Sequence, residues 1–142
     1  MIEIINQQKI KRINLKELRE YLKRILIFLD IPSKKISILL CDNKFIRGLN
    51  KKFFRKDSST DVISFPLKDD FDPDYLGEVA ISVEEAAKAA KQYANTWQEE
   101  LVLYLVHGVL HLLDYTDRTK KHKEAMDKKQ KEIMEKFVVH SS

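Results

Sequence analysis

The chain has 142 residues, 44% of them hydrophobic and 34% charged, a composition that suits one folded domain over residues 1–142 and excludes a disordered chain. With three glycines and one cysteine, the sequence excludes a glycine-rich phosphate loop, an internal disulfide and a multi-cysteine zinc site. The net charge of +4 permits a nucleic-acid partner, while the lack of a signal-peptide pattern or of a run of ~20 apolar residues predicts a cytoplasmic protein with no membrane partner.

The first half of the chain alternates between strand-like and helix-like spacing of its apolar residues. Asn14 and Asp42 stand where helix N-caps are expected, and Pro32 and Pro66 stand where a helix and a strand should end. The predicted elements are a strand over 1–7, a helix over 15–29, a strand over 35–41, a helix over 43–53 and a strand over 61–65. The expected apolar face of the second helix consists of Phe45, Ile46, Leu49 and Phe53.

The second half begins with an acidic loop over 67–75 and a strand over 76–82. Capping-box spacing at Ser82 and again at Thr96 predicts one helix through residue 94 and another through residue 113. The second of these helices is apolar on nearly every face, so we expect it to be buried. A charged helix over 118–137 follows. The whole pattern predicts an α+β fold, with one mixed sheet of about four strands and roughly five helices.

Two histidines lie on the apolar central helix, near its C-terminal end. His107 and His111 are four residues apart, which places both imidazoles on one face. Two buried polar rings need partners, and a divalent metal would satisfy both at once. The alternative is a pair of core histidines that are bonded to backbone groups or carboxylates.

Asp117 follows ten positions after His107, just beyond the predicted helix end. A short turn would bring its carboxylate back beneath the histidines. Catalytic zinc sites typically hold three protein ligands, and two histidines with one carboxylate form an acceptable set. Two alternatives stay open: Asp117 as the N-cap of the last helix, and His122 as the third ligand.

Gly108 follows the first histidine at the position where zinc peptidases carry a glutamate general base. With no carboxylate at that position, the sequence argues against peptide hydrolysis by the usual route.

Two segments match the motifs of one known protein family. The run from His107 to Leu112, followed by Tyr115, resembles the pattern His-Gly-x-Leu-His-Leu-x-Gly-Tyr-Asp-His. The second pattern is Asn…Arg…Thr-Asp-Val-Leu-Ser-Phe-Pro, and the strand that starts with Leu76-Gly77-Glu78-Val79 is also family-like. The residues that match the second pattern are Asn50, Phe54, Arg55, Thr60, Asp61, Val62, Ser64, Phe65 and Pro66. With these motifs the chain resembles the YbeY family of bacterial rRNA maturation factors.

The resemblance implies a single-strand-specific, metal-dependent endoribonuclease that acts in rRNA maturation, at the 3′ end of 16S rRNA, and in ribosome quality control. It implies one zinc ion per chain, with RNA and the ribosome as partners. It also implies a catalytic role for Arg55, because an arginine fork suits the charge that develops on a phosphorane. The alternative for Arg55 is an ion pair with Asp57 or Asp61.

Three residues depart from the family pattern. Asp114, Thr116 and Asp117 stand where the family has glycine, aspartate and a third histidine. Two histidines with the Asp117 carboxylate form a harder ligand set, in the acid–base sense, than three histidines. Manganese or nickel could therefore compete with zinc. Asp114 is tolerable at a glycine position, because aspartate adopts left-handed conformations more readily than most residues.

Residues 44–56 are basic and contain no acid. Such a run is often only a solvated helix face, but beside a metal cleft it would bind phosphates. The predicted RNA-binding residues are Lys51, Lys52, Arg55 and Lys56. Phe53, Phe54 and Tyr75 could stack on bases, although Phe53 is expected in the core.

Two other function classes remain open at this stage. One is a small metallopeptidase-like hydrolase, which Gly108 disfavours. The other is a non-enzymatic RNA-binding factor in ribosome assembly, whose metal would be structural.

Overall fold

The computed structural model describes residues 1–67 and 72–137, and its elements follow the predicted order. Residues 68–71 of the predicted acidic loop lie outside the described residues. The strands are β1 (Ile2–Asn6), β2 (Lys35–Cys41), β3 (Val62–Pro66) and β4 (Tyr75–Ser82). The helices are α1 (Leu15–Phe28), α2 (Asn43–Phe54), α3 (Val83–Tyr93), α4 (Trp97–Leu112) and α5 (Lys120–Lys136).

The strands form one mixed sheet in the order β1-β2-β4-β3, which confirms the α+β prediction. β1 and β4 both run parallel to β2, and β3 runs antiparallel to β4. The register pairs Ile4 with Ile38 and Ile38 with Val79, so apolar residues of three strands lie side by side. Since side chains alternate between faces, this register gives each face of the sheet its own apolar layer.

Helices cover the two faces of the sheet unequally. The larger cluster joins β2 and β4 to α1, α3, α4 and α5, and it includes Met126 and Ile133 of α5. The smaller cluster on the other face contains Cys41, Ile46, Ile63 and Ala80, and α2 supplies Ile46. No helix of the described chain is both long and apolar enough to cross a membrane.

The predicted burial of the apolar face of α2 is wrong at two positions. Phe45 is 40% exposed and Phe53 is 54% exposed, whereas Ile46 is fully buried. A single helix on this face of the sheet can direct only a narrow stripe of residues inward. Phe53 instead packs edge-on against Phe65 of β3 at a centroid distance of 5.2 Å.

Side-chain caps define where the helices start. Asn14, Asp42, Ser82 and Thr96 each accept a hydrogen bond from the backbone N–H three residues later. At Thr96 the Glu99 carboxylate also accepts from the cap backbone, which completes the predicted capping box. At Ser82 the Glu85 carboxylate accepts a hydrogen bond from the Asn43 side chain in place of the cap backbone N–H.

Gly108 allows α4 to lie directly on the sheet. A Cβ atom there would stand 2.5 Å from Cγ1 of Val79 and 3.2 Å from Cγ2 of Val62. The Gly108 carbonyl also accepts a hydrogen bond of 2.9 Å from Oγ of Ser64. The glycine therefore sets the distance between the helix that carries the histidines and the two strands beneath it.

Gly108→Ala should lower the free energy of unfolding by up to about 2 kcal/mol, because overpacking costs ~1–3 kcal/mol and the gain in helix propensity offsets only ~1 kcal/mol of it. Urea denaturation would measure the change. Gly48→Ala is the matched control, since a Cβ at Gly48 of α2 meets nothing within 4 Å and should stabilise the protein. A stabilising effect at both positions would contradict the close approach at Gly108.

Candidate active site

His107 and His111 converge at the C-terminal end of α4, as their spacing predicts. Their Nε2 atoms are 3.0 Å apart, and the rings meet edge-to-face with centroids 4.6 Å apart. Both side chains are half-buried. The two nitrogens therefore point at one location that a ligand can reach from solvent.

The outer side of the His107 ring is held by the protein. Nδ1 of His107 lies 3.0 Å from Oε1 of Gln130 in α5. Because the amide oxygen of Gln130 only accepts, Nδ1 of His107 carries the proton and its Nε2 presents a lone pair. Nε2 of His111 faces Nε2 of His107, so this ring also turns its Nε2 inward.

This donor pair fits a divalent metal. Zinc–nitrogen bonds of ~2.0–2.1 Å at tetrahedral angles would separate the two nitrogens by roughly 3.3 Å, close to the observed 3.0 Å. Ligating histidines usually donate their other N–H to an oxygen, as His107 does to Gln130. Burial lowers the pKa of His111, the adjacent His107 lowers it further, and the Asp117 carboxylate opposes both effects. The lowered pKa favours the neutral imidazole that metals require.

The structure does not bring Asp117 into a three-ligand group. Its carboxylate is exposed and affects His111 only as a nearby charge. The residues described here contain no cluster of three His, Cys, Asp or Glu side chains that could hold a metal ion. Asp117 therefore stays a predicted ligand.

The prediction that Asp117 could cap the last helix is wrong. The N-cap of α5 is Thr119, whose Oγ1 accepts a hydrogen bond of 3.1 Å from the His122 backbone. The same hydroxyl lies 2.9 Å from Nδ1 of His122, and that side chain is exposed. The Thr119 hydroxyl therefore holds His122, the alternative third ligand, at the start of α5. Asp117 has no capping role.

The turn after α4 places the next residues around the histidines. Asp114 has φ 70°, which confirms the left-handed backbone expected at this position. Its N–H donates to the carbonyl of His111, and the Tyr115 N–H donates to the carbonyl of Leu110. These two bonds form a Schellman motif, which ends the helix and reverses the chain.

A cleft of about 550 Å³ opens beside His111, between this turn, the end of α2 and strand β3. His111 lines the cleft, and Lys56 and Arg118 contribute positive charge. The lining residues are Asn50, Phe54, Lys56, Thr60, Val62, Ile63, Ser64, Pro66, His111, Asp114, Tyr115, Thr116 and Arg118.

Arg55 stands at the C-cap of α2 in the left-handed conformation, with φ 56°. Its side chain is exposed, and it is absent from the cleft lining, whereas its neighbours Phe54 and Lys56 are present. The alternative of an ion pair is wrong: Asp57 binds Arg47 at 2.7 Å, and Asp61 accepts from the Val62 backbone. Arg55 therefore stands beside the cleft and forms no ion pair with any residue that the structure describes.

The other predicted RNA-binding lysines are divided by α2. Lys56 lines the cleft, whereas Lys52 lines a separate groove on another side of α2, and Lys51 is exposed outside both linings. Lys51 and Lys52 diverge because successive residues of a helix are rotated by about 100°, whereas Lys56 lies beyond the C-cap of α2.

Aromatic rings are available beside these charges. Phe54 is 48% exposed in the cleft wall and stacks on Phe65 with a centroid distance of 6.0 Å. Tyr75 is less available, since its hydroxyl is hydrogen-bonded to Ser37 at 2.8 Å. Phe54 is therefore the aromatic residue best placed to stack on a base in the cleft.

Some residues of the site were not predicted. Gln130 holds His107 from a different helix, 23 positions further along the chain, and no motif marks it. Arg118, at the start of the predicted charged helix, also lines the cleft. Asn50 donates a hydrogen bond of 3.0 Å to the Ser58 carbonyl and so holds the loop after α2. Its appearance in the family-like pattern was the signal that could have identified it.

Comparisons with known proteins agree with the resemblance. The family model described as "Endoribonuclease YbeY" matches residues 3–138. A protein named Endoribonuclease YbeY from Carboxydothermus hydrogenoformans is 43% identical over 99 residues, covering 70% of this chain and 69% of the relative. Another of that name, from Syntrophus aciditrophicus, is 33% identical over 145 residues, covering 98% and 89%.

A solved structure shares the fold. The solution structure of a Thermotoga maritima protein matches with a TM-score of 0.66 and 28% identity, covering 96% of this chain and 91% of that one. The family match spans both the segment that forms the cleft and the helix that carries the histidine pair. The chain therefore belongs to the YbeY endoribonuclease family.

Proposed function

We propose that this protein is a metal-dependent endoribonuclease that cleaves single-stranded RNA during rRNA maturation. The observation that carries the proposal is the pair of facing Nε2 atoms, 3.0 Å apart, of which the His111 ring lines an open cleft that also holds Lys56 and Arg118. A cationic cleft attracts phosphates, and a metal at its edge is suited to phosphodiester hydrolysis. The expected substrate is the 3′ end of 16S rRNA on the ribosome, with a further role in ribosome quality control, and residues 1–142 would act as one cytoplasmic domain.

The metal would be held by His107, His111 and Asp117, and zinc is the first choice for this donor set. Bound there, it would lower the pKa of a water molecule or polarise a phosphoryl oxygen. Gln130 would keep the His107 ring in the tautomer that ligates. The exposure of Asp117 leaves room for its turn to move toward the histidines.

The remaining side chains would bind and orient the RNA. Lys51, Lys52 and Lys56 would contact phosphates, and Arg55 would meet the charge that develops on the reacting phosphate. Phe54, half-exposed in the cleft wall, would stack on an unpaired base. Stacking of this kind requires an unpaired base, which supports a preference for single strands.

Peptide hydrolysis is disfavoured by the packing of Gly108. The position where zinc peptidases carry their glutamate is in contact distance of Val79 and Val62, so it has no room for a side chain. The match to an endoribonuclease family also favours RNA over peptide as the substrate. A non-enzymatic RNA-binding factor with a structural metal is the remaining alternative.

An RNA cleavage assay with chelator and added metal tests the proposed function. Protein purified without added metal is analysed for its elements and incubated with an unpaired RNA and with the same RNA in a duplex. We expect cleavage of the single strand, loss of cleavage with chelator and recovery with zinc or manganese. RNA binding without cleavage under every metal condition would instead favour the non-enzymatic alternative.

The salt dependence of RNA binding should report on the predicted lysines. Lys51→Gln with Lys52→Gln should reduce the slope of log affinity against log salt by about 1.4, since each phosphate contact on a single strand contributes ~0.7. Lys16→Gln, at an exposed lysine of α1 on the opposite face of the sheet, is the control. An unchanged slope in the double variant would move the RNA surface elsewhere, with α5 as the next candidate.

The third ligand can be tested by changing Asp117. Asp117→Asn keeps the size of the side chain but removes its charge, so zinc affinity should fall clearly, whereas Asp117→His should bind zinc at least as tightly as the wild type. Zinc titration against a competing chelator measures both variants. Tight binding by Asp117→Asn together with loss in His122→Ala would assign the ligand to His122.

A further inference from the structure

A second groove, of about 450 Å³, lies on another side of α2 from the cleft. The residues that line it are Gln7, Cys41, Asp42, Lys44, Phe45, Gly48, Leu49 and Lys52. It shares no lining residue with the cleft, but both are bordered by α2. A polymer bound in the cleft could therefore continue across this helix into the groove.

Gly48 has no structural explanation within the described chain. It stands in the middle of α2, where glycine is among the least favourable residues, and a Cβ added there would meet nothing within 4 Å. Gly108, by contrast, is required by the contact of α4 with Val79. An exposed helical glycine that no internal packing requires suggests that something outside the chain approaches the backbone closely at this point.

The charges around Gly48 indicate what approaches. Lys44 and Lys52 lie one turn before and one turn after it on the same face, both exposed, and neither forms an ion pair with any described residue. Asp42 is the acid in the lining, and its carboxylate accepts a hydrogen bond of 2.9 Å from the Phe45 backbone N–H. Two lysines against one carboxylate leave the groove with a net positive charge.

The groove also offers an apolar surface beside those charges. Phe45 is 40% exposed in its wall, and Leu49 and the buried Cys41 complete the apolar part. Two cations with an exposed aromatic ring beside them are a combination by which proteins bind single-stranded nucleic acid, through phosphates and base faces together.

We propose that the α2 groove is a second RNA-binding subsite, which holds the backbone of the single strand beyond the segment in the cleft. Phosphates lie over Gly48 between Lys44 and Lys52, and a neighbouring base contacts Phe45. This assignment rests on the proposed function, because it requires that RNA occupy the cleft. It adds a reason for the enzyme to favour longer unpaired substrates over short ones.

The test compares a short unpaired oligonucleotide that fills only the cleft with a longer one that also reaches the groove. Fluorescence anisotropy at one fixed salt concentration gives the affinity of each RNA. The wild type should bind the longer RNA more tightly. Gly48→Gln and Lys44→Gln should each lose most of that advantage, whereas Lys16→Gln should keep it.

Stability separates blocked binding from damage to the fold. Glutamine is a better helix former than glycine, so Gly48→Gln should melt at or above the wild-type temperature while binding the longer RNA less well. Full retention of the length advantage in both groove variants, or no such advantage in the wild type, would overturn the subsite and leave the groove to another partner, such as an acidic protein. Failure of the wild type to bind or cleave either RNA would instead overturn the proposed function.

Discussion

Replacing His111 with alanine should remove the metal. The variant loses one of two converging ring nitrogens and leaves Nε2 of His107 without its neighbour at 3.0 Å. Loss of a hydrogen-bonded supporting residue alone typically costs ~10–100-fold in metal affinity, so loss of a ligand should cost more. Elemental analysis after dialysis, followed by zinc titration against a competing chelator, measures the effect. RNA cleavage should fall in parallel.

The matched control is His122→Ala, since His122 is a third histidine at the start of α5 that belongs to a helix cap. It should keep the metal and lose only a little stability. His111→Gln is a second variant for the case in which His111→Ala misfolds, because glutamine keeps a polar side chain in the half-buried position. Full metal stoichiometry in a variant that lacks both His107 and His111 would show that the site lies elsewhere.

The order and type of the elements were predictable because their signals are local. Caps at Asn14, Asp42 and Thr96 lie within one turn of the groups that they satisfy, so sequence spacing predicts them directly. The convergence of His107 and His111 is local in the same sense, since the four-residue spacing fixes it on any helix. The left-handed conformation of Asp114 is likewise a property of a single residue type and position.

The features that were missed depend on contacts between distant elements. Gln130 reaches His107 only because α5 packs beside α4, and nothing in the spacing of 23 residues specifies that contact. The close approach of α4 to Val79 explains Gly108, which the sequence identified only as the absence of a glutamate. The exposure of Phe53 follows from the single helix that covers its face of the sheet.

The basic run shows the same limit in the candidate site. Its residues are close in sequence, but Lys52 lies on α2 and lines the groove, whereas Lys56 lies beyond the C-cap of the helix and lines the cleft. Sequence indicates that cations are present, whereas only the packing of α2 against β3 and β4 tells which of them line the cleft beside His111. Arg55 lines neither the cleft nor the groove, so its role most needs a direct test.

Arg55→Lys should separate chemistry from binding. The change keeps the positive charge but loses the planar fork, so RNA affinity should change little while the cleavage rate falls by about 100-fold or more, the scale of losing one preorganised donor. Single-turnover cleavage at saturating protein gives the rate, and anisotropy gives the affinity. Arginine and lysine adopt the left-handed conformation at φ 56° about equally well, so the substitution should not change the stability of the C-cap.

Two companion variants make the result decisive. Arg55→Gly places the residue type that best suits a left-handed C-cap, so it should match or exceed the wild type in stability while losing cleavage, which separates the side chain from the cap. Lys56→Gln tests the neighbour that lies in the cleft lining, where Arg55 does not. Equal losses of affinity and rate in Arg55→Lys would make Arg55 an ordinary phosphate contact. A larger loss of rate in Lys56→Gln than in Arg55→Lys would transfer the catalytic role to Lys56, because a cation in the cleft lining would then be the one that meets the developing charge.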